Sequence, residues 1–521
     1  MRLGHDGAIA ADATHGAPTC ADRARAQPST LRLATMFVVL FALSQVPLYA
    51  IRYVDITDFP NHLARFYILQ HLSDSAWLQR YYAETPHTIF PNLGMEVVVP
   101  LLAQCVDTAL ALKIFASLGA LFTTTGAMAL ARAFLGRVSY MTLGVALFSN
   151  NAMFQFGLFN YLFALGLALW LLAAWLMMPV FRRSTLGVIA FAAGATLVYV
   201  CHLSAWAVYA LATVALQVRF APARGRILRL EFDEALATVL PLLPALAMHA
   251  WLSDPPAGAS ITESYTSPLA LLAYKVALFA LAPGAAFSGY AAEGAVLGMT
   301  VATAVYIGLR QGALHLSPAA GRIAAVLAVS MALVPPAIFG SALADSRLLV
   351  PLALVLWSGL EVRREAWHGR IPAVLMSLAI AASAATGYEW HRREGEYRDI
   401  RRALAQLPAG ASVATVTLNG GNTYISPHVV AWAVLDRSVL MSNLYTRPFQ
   451  PVWLRYRPPY APLAARARTQ NVVWEPPKPF GALKGYFDYV VIVGSRSDRA
   501  AYGAPARVLY ESAAIEIVDG R

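Results

Sequence analysis

Long apolar runs separated by short polar segments dominate the pattern along this 521-residue chain. Runs that approach 20 apolar residues are typical of helices that cross a bilayer. The pattern predicts a mostly α-helical, polytopic transmembrane bundle of about eleven spans, near residues 33–51, 110–133, 138–151, 156–179, 185–200, 203–218, 234–252, 291–309, 321–341, 347–361 and 371–387.

Two further apolar stretches are weaker candidates for spans. Residues 93–106 form a short run, and residues 267–290 are interrupted by Pro283 and by several Gly and Ala residues. Lipid-exposed helices must satisfy their backbone internally, and short or broken runs do so poorly. We predict that both stretches lie in the outer interface or dip into it.

Basic residues mark one side of the predicted membrane domain. They cluster in alternate loops, at Arg132 with Arg137, Arg182 with Arg183, Arg219 through Arg229, Arg310 with Arg322, and Arg363 through Arg370. An excess of basic residues is typical of cytoplasmic loops. The N-terminus is then predicted to be cytoplasmic, whereas residues 53–109 and everything after about residue 387 lie on the outer side.

The two ends of the chain differ in pattern from its middle. Residues 1–31 are rich in Ala, Arg and small polar residues and predict a disordered cytoplasmic tail. Residues 32–388 form the membrane domain. From residue 389 a charged helix precedes the strand SVATVTL, an apolar helix near residues 428–435, and the strands FDYVVIVG and ARVLYESAAIEIV. Residues 389–521 are therefore predicted to form a small extracytoplasmic α/β domain.

Composition supports a membrane protein and gives no reason to expect a nucleic-acid partner. The chain is 58% hydrophobic and only 13% charged, and its mean hydropathy is +0.54. The net charge of +11 resides mainly in the short basic loops, where membrane topology accounts for it. Cys20, Cys105 and Cys201 have neither metal-binding spacing nor a disulfide framework.

Candidate chemistry is concentrated in the stretch YVDITDFPNHLARF, just after the first span. It contains Asp55, Asp58, His62 and Arg65. A proline two residues after Asp58 predicts the start of a helix, and spacings of three and four then place Asp58, His62 and Arg65 along one edge. Charges beside a bilayer are costly unless paired or used. The alternative is that Asp58 only starts the helix and Arg65 only meets lipid headgroups.

Other outer positions could converge on this stretch. The first outer loop is about 55 residues long, and its amphipathic segments could wall a cavity at headgroup depth. His202 lies between two spans, in VCHLSAW, and Arg347 begins a late span, in LADSRLLVPLALVLW. Arginine suits phosphate because its planar fork presents several donors. The alternatives are an interface-anchored histidine and a local Asp345–Arg347 pair.

This arrangement resembles the GT-C superfamily of integral-membrane glycosyltransferases, in particular the polyprenyl-phosphate-dependent mannosyl- and aminoarabinose-transferase type. The resemblance rests on the long first outer loop with an early acidic residue, on ALARAFLGR, on DSRLLVPLALVL and on the C-terminal α/β domain. It implies that Asp58 or Asp55 is a general base or metal ligand, and that Arg347 contacts the lipid phosphate of the donor.

One position departs from that resemblance. Many relatives carry a second acidic residue where this chain has Asn160. An amide can hydrogen-bond a sugar or an acceptor, but it is a poor metal ligand and cannot act as a base. A divalent cation, held by Asp58 if by any residue, therefore stays an open expectation, and so does a non-catalytic homologue.

The sequence thus predicts a glycosyltransferase of the bacterial inner membrane. It would move a sugar from a polyprenyl-phosphate donor to a glycan, lipid or protein acceptor on the outer face. Asp58 or Asp55 would be catalytic, with His62, Arg65, Asn160, His202 and Arg347 binding substrate. Two alternatives stay open: a lipid or glycan transporter or flippase, and a non-catalytic membrane scaffold.

Overall fold

The computed structural model describes most of the chain. The described residues are 29–217, 232–252, 262–263, 267–289, 291–338, 341–364, 367, 369–418, 426–447, 450–468, 477–504 and 506–521. Most of the predicted N-terminal tail and the basic loop 219–229 lie outside the described residues.

Twenty α-helices are described in this part of the chain. In chain order they are α1 (Thr30–Ala50), α2 (Phe59–His71), α3 (Ala76–Tyr81), α4 (Leu93–Leu102), α5 (Thr108–Leu135), α6 (Tyr140–Leu143), α7 (Ala152–Phe156), α8 (Phe159–Met177), α9 (Thr185–Cys201), α10 (Leu203–Gln217), α11 (Phe232–Val239), α12 (Leu243–Leu252), α13 (Pro268–Ala285), α14 (Ala291–Arg310), α15 (Pro318–Leu333), α16 (Leu349–Ser358), α17 (Ile371–Leu404), α18 (Trp432–Arg437), α19 (Tyr460–Ala467) and α20 (Arg496–Tyr502).

Length and composition confirm a multi-pass membrane protein. Among the described residues, six helical segments are long and apolar enough to cross a bilayer, and six shorter apolar helices accompany them. Helices α5 and α8 pack closely against each other, because small residues allow their backbones to approach. A Cβ built at Gly166 would lie 2.4 Å from the backbone of Phe122, so only glycine fits at this crossing.

The predicted span at residues 138–151 is not one regular helix. The segment consists of the short α6 followed by a 3₁₀ helix, Gly144–Asn150. A Cβ at Gly144 would lie 2.3 Å from the Trp357 ring, so the backbone itself packs against the indole. All residues from Met141 to Asn150 are buried in protein, where irregular backbone can be satisfied.

Residues 267–290 contain one long helix, and its predicted place in the outer interface stays a prediction. Helix α13 is continuous through Pro283 and is long and apolar enough to be a candidate span. Gly284 and Gly298 remove side chains at its contact with α14, where a Cβ at Gly298 would lie 2.3 Å from Pro283. The glycines therefore serve helix packing and do not break the helix.

The strands lie mainly near the C-terminus. They are β1 (Tyr82–Glu84), β2 (Thr262–Glu263), β3 (Leu314–Leu316), β4 (Ala337–Ile338), β5 (Ser341–Ala342), β6 (Leu360–Val362), β7 (Ser412–Thr417), β8 (Leu440–Met441), β9 (Leu454–Tyr456), β10 (Tyr489–Val493), β11 (Val508–Glu511) and β12 (Ile515–Asp519). Five of them form one mixed sheet in the order β11-β12-β10-β7-β8, which confirms the predicted α/β domain.

We call residues 405–521 the C-terminal domain, because the predicted boundary at residue 389 falls inside α17. This 34-residue helix runs without a break from its apolar half into its charged half. Its charged half contacts the segment that follows α1, since Asp55 accepts a hydrogen bond from Tyr397 at 2.5 Å and lies 3.2 Å from Arg393.

A second connection joins the C-terminal domain to the first loop, residues 51–107. Strand β1 of this loop pairs antiparallel with β9. The buried Tyr82 hydroxyl donates to the Val439 carbonyl and accepts from the Met441 N–H, both at 3.0 Å. The first loop and the C-terminal domain therefore hold each other in a fixed register.

Candidate active site

Asp58 occupies the N-cap position of α2, but its side chain does not cap the helix. Its side chain makes no capping hydrogen bond, whereas its backbone N–H donates to Phe156 and its carbonyl accepts from the His62 N–H. Gly157 adopts φ +87°, and a Cβ there would lie 2.8 Å from the Asp58 Cβ. The glycine therefore lets the α7–α8 turn press against Asp58 while the carboxylate stays available for other contacts.

The C-terminal domain supplies two residues to Asp58 that sequence reasoning did not single out. His428 Nε2 lies 3.4 Å from Asp58 Oδ1, and the Tyr445 hydroxyl lies 3.1 Å from the same nitrogen. Tyr445 also hydrogen-bonds the Asp58 carboxylate. The imidazole and phenol rings pack edge to face, with their centroids 5.0 Å apart.

Neighbouring hydrogen bonds determine the tautomer of His428. The Tyr445 N–H donates to Asn61 Oδ1 at 2.8 Å, which places the Asn61 NH₂ group toward Asn443 O and His428 Nδ1. Nδ1 therefore accepts from Asn61 at 2.9 Å, and the ring proton is on Nε2. Nε2–H then faces the Tyr445 hydroxyl, which in turn donates to Asp58.

Burial controls the protonation states of Asp58 and His428. Burial raises the pKa of Asp58 to about 7, although the Tyr445 hydrogen bond and the Arg347 charge oppose the shift. Burial, together with the Arg468 charge, lowers the pKa of His428 to about 3. At neutral pH the histidine is uncharged, so it acts on Asp58 through hydrogen bonding and not as a cation.

Arg347 provides positive charge to the same site. Arg347 lies in the 3₁₀ turn Ser346–Leu348. Its guanidinium donates to Ser204 Oγ at 3.2 Å, to Ser341 Oγ at 2.8 Å and to the Ala342 carbonyl at 3.1 Å. All three partners are neutral, and Asp58 is a carboxylate whose charge acts on the guanidinium. The predicted local pair between Asp345 and Arg347 does not form, because Asp345 binds Lys275 at 2.6 Å.

His202 lies beside Arg347. It ends α9, its Nδ1 accepts from the Ser204 N–H at 3.1 Å, and its ring packs edge to face on Tyr161. The Tyr161 hydroxyl donates to the Arg347 carbonyl at 2.5 Å. The structure thus brings His202 and Arg347 together as predicted, and their contact with a substrate stays a prediction.

His62 and Arg65 follow Asp58 along α2 at the predicted spacing. His62 packs against the Phe159 and Tyr445 rings, and burial, followed by the Arg65 charge, lowers its pKa well below the ordinary range. Arg65 is only 1% exposed, and its guanidinium pairs with the equally buried Glu96. This pair accounts for Arg65 without any substrate.

The two remaining predicted site residues, Asn160 and Asp55, are engaged with partners other than Asp58. The Asn160 amide is held by the first loop: its Oδ1 accepts from the Met95 N–H at 2.5 Å, and its Nδ2 donates to Asn92 at 2.8 Å. Asp55 is engaged with Tyr397 and Arg393 on α17. Asp58 is therefore the better candidate for the base.

The groups around Asp58 do not fit a divalent cation. No cluster of three His, Cys, Asp or Glu side chains that could hold a metal ion occurs among the described residues. The Tyr445 hydroxyl and His428 Nε2–H both point hydrogens at the site, and Arg347 adds a positive charge, whereas Mg²⁺ and Ca²⁺ require oxygen acceptors. We therefore derive no step through a metal.

Comparison with known proteins gives one structural neighbour of interest. No protein-family model and no curated protein matches this chain. The chain is similar to the crystal structure of ArnT from Cupriavidus metallidurans bound to undecaprenyl phosphate, with 13% identity and a TM-score of 0.49 over 95% of this chain and 99% of that one. Such low values assign no residue or reaction to this chain.

Proposed function

We propose that this protein is a membrane glycosyltransferase that moves a sugar from a polyprenyl-phosphate donor to an acceptor hydroxyl. The observation that carries the proposal is the placement of one mostly buried carboxylate, Asp58, within the electrostatic influence of one buried guanidinium, Arg347, without a direct ion pair between them. Glycosyl transfer to a hydroxyl requires a base for the acceptor and a cation for the departing phosphate. The resemblance of the sequence to GT-C enzymes supports the same function.

Asp58 is proposed as the general base. As the acceptor oxygen bonds to the anomeric carbon, its proton passes to the Asp58 carboxylate and the bond from that carbon to the phosphate oxygen breaks. A base with a pKa of about 7 is half ionised at neutral pH, and it accepts the proton as the acceptor oxygen becomes acidic on bonding to the anomeric carbon. The Tyr445 and His428 hydrogen bonds hold the carboxylate in place.

Arg347 is proposed to stabilise the phosphate that leaves. Its guanidinium is buried and oriented by Ser204 and Ser341, so it meets charge that develops during the reaction without first reorganising water. Neutral His202, beside it, would contact the sugar or phosphate through hydrogen bonds. The outer-face location, the identity of the sugar and the class of acceptor, whether glycan, lipid or protein, stay predictions.

The test is turnover of radiolabelled polyprenyl-phosphate sugars by purified protein in nanodiscs. We expect Asp58→Asn to lower label transfer or release by about 100-fold or more while the protein stays folded. Asp55→Asn is the matched control, because it removes a nearby carboxylate that is already engaged with Arg393 and Tyr397. Equal turnover by wild type and Asp58→Asn, or no turnover of any donor by folded wild type, would remove the proposal.

A further inference from the structure

A second cluster of charge lies apart from Asp58, on the same end of the bundle. A cleft of about 560 Å³ opens where the end of α1, the charged half of α17 and α18 meet. Five arginines line it and a single carboxylate, Asp436, accompanies them: Arg52, Arg398, Arg401, Arg402 and Arg437. Like charges this close repel unless they are paired or an anion joins them.

Internal contacts account for only part of this charge. Arg401 makes two hydrogen bonds to Asp436, at 2.8 and 2.7 Å, and Arg437 donates to the Ala405 carbonyl. Arg52, Arg398 and Arg402 form no ion pair with any carboxylate among the described residues, and all three are exposed. Three guanidinium groups thus face the cleft with their charge uncompensated.

Stabilisation of the C-terminal end of α17 does not account for all the arginines of the cleft. Arginines in the last turn of a helix are favourable because they oppose its macrodipole, and Arg401 and Arg402 lie in the last turn of α17. Arg52 and Arg437, however, come from other elements, and Arg437 already binds the free carbonyl of Ala405. Three separate parts of the chain therefore contribute cations to one cleft.

The position of Arg52 sets the depth of the cleft. Arg52 follows α1, a candidate membrane span that ends at Ala50, by two residues. The cleft therefore lies where the phosphates of a bilayer or of a membrane-bound substrate would be. Guanidinium groups bind phosphate oxygens through two parallel hydrogen bonds, which makes arginine the residue best suited to this ligand.

We propose that this cleft is a binding site for a phosphate-bearing anion at the membrane surface, separate from the Asp58 site. Arg398 and Arg402, one helical turn apart on α17, would grip the phosphate, and Arg52 would close the site from the membrane side. Arg401 is held by Asp436 and stacks on Trp432 with its guanidinium 4.9 Å from the ring centroid, so it forms the rigid floor. The proposal does not depend on the transferase reaction.

The experiment measures calorimetric binding of two probes to the full-length protein in uncharged detergent. The probes are inorganic pyrophosphate and a short-chain phosphatidic acid, compared in wild type and the double variant Arg398→Gln/Arg402→Gln. We expect the double variant to bind at least about tenfold more weakly and wild-type binding to weaken as salt is raised. Arg455→Gln/Arg507→Gln is the control, since both residues are exposed on the C-terminal domain outside the cleft.

The two probes distinguish the source of the phosphate. Binding of phosphatidic acid alone identifies a lipid headgroup site, and binding of both probes identifies a phosphate site that a soluble or acceptor-linked group can fill. Equal affinity in wild type and the cleft variant, an equal loss in the control variant, or no binding of either probe to folded wild type overturns the proposal.

Discussion

The raised pKa of Asp58 makes the pH dependence of this protein a direct test of the proposed base. With a pKa of about 7, about 10% of the carboxyl groups are ionised at pH 6 and about 90% at pH 8. Only the ionised form accepts a proton from the acceptor. We therefore expect kcat/KM for a polyprenyl-phosphate sugar to rise about tenfold from pH 6 to pH 8.

The same shift predicts how stability changes with pH. Because burial raises the pKa from its ordinary value of 3.8 to about 7, the folded protein binds the Asp58 proton more tightly than the unfolded chain does. Stability of the wild type therefore falls as the pH rises through this window. Asp58→Asn removes the cost of burying the charge, on the order of 4 kcal/mol at pH 8 for a shift of roughly three pKa units.

Thermal unfolding in detergent between pH 5 and pH 8 measures this effect. We expect Asp58→Asn to melt at a higher temperature than wild type at pH 8, with the difference narrowing at pH 5, where the folded wild type is already protonated. Asp55→Asn should show the opposite sign, because it breaks the contact with Arg393. An activity limb near pH 4, or an unchanged melting temperature for Asp58→Asn at pH 8, would refute a buried, protonatable Asp58.

Two further substitutions test the surroundings of the site. Asn61→Leu frees His428 to adopt the other tautomer, so Asp58 loses its oriented neighbours. The acidic limb of the pH–rate profile should then move to higher pH. An unchanged profile would contradict the assigned proton positions. Glu96→Gln leaves the Arg65 charge buried without its counter-ion and should destabilise the protein by about 3–5 kcal/mol, visible as a lower melting temperature; a change below about 1 kcal/mol would show that the pair is not needed.

The apolar pattern was sufficient to predict the bundle because most spans are regular and lipid length fixes their size. It was insufficient where one residue changes the local packing. The 3₁₀ helix begins at Gly144, where the Trp357 ring occupies the space of a side chain. Likewise, Pro283 suggests an interruption from sequence alone, whereas it lies in the last turn of α13, where Gly284 and Gly298 allow α13 and α14 to approach closely. Such pairings are not encoded in any local window.

The same distinction holds for the site. Helical spacing predicted that Asp58, His62 and Arg65 share one edge, because that depends only on neighbours in sequence. It could not predict His428 and Tyr445, whose contacts with the first loop span more than 360 positions. A lone polar residue in an apolar run was the available signal for His428, in SPHVVAWAVL, and for Glu96, the partner of Arg65, in LGMEVVVPLL.

The hydrogen bonds that orient Asp58 can form only late in the synthesis of the chain. Asn61 is synthesised 367 residues before His428. At a ribosome speed of roughly 5–20 residues per second, this separates them by about 20–70 s. Throughout that interval α2 is already made, but the histidine and tyrosine that surround its aspartate do not yet exist. The proposed base, Asp58, therefore cannot be oriented until the last quarter of the chain has emerged and folded against the first loop.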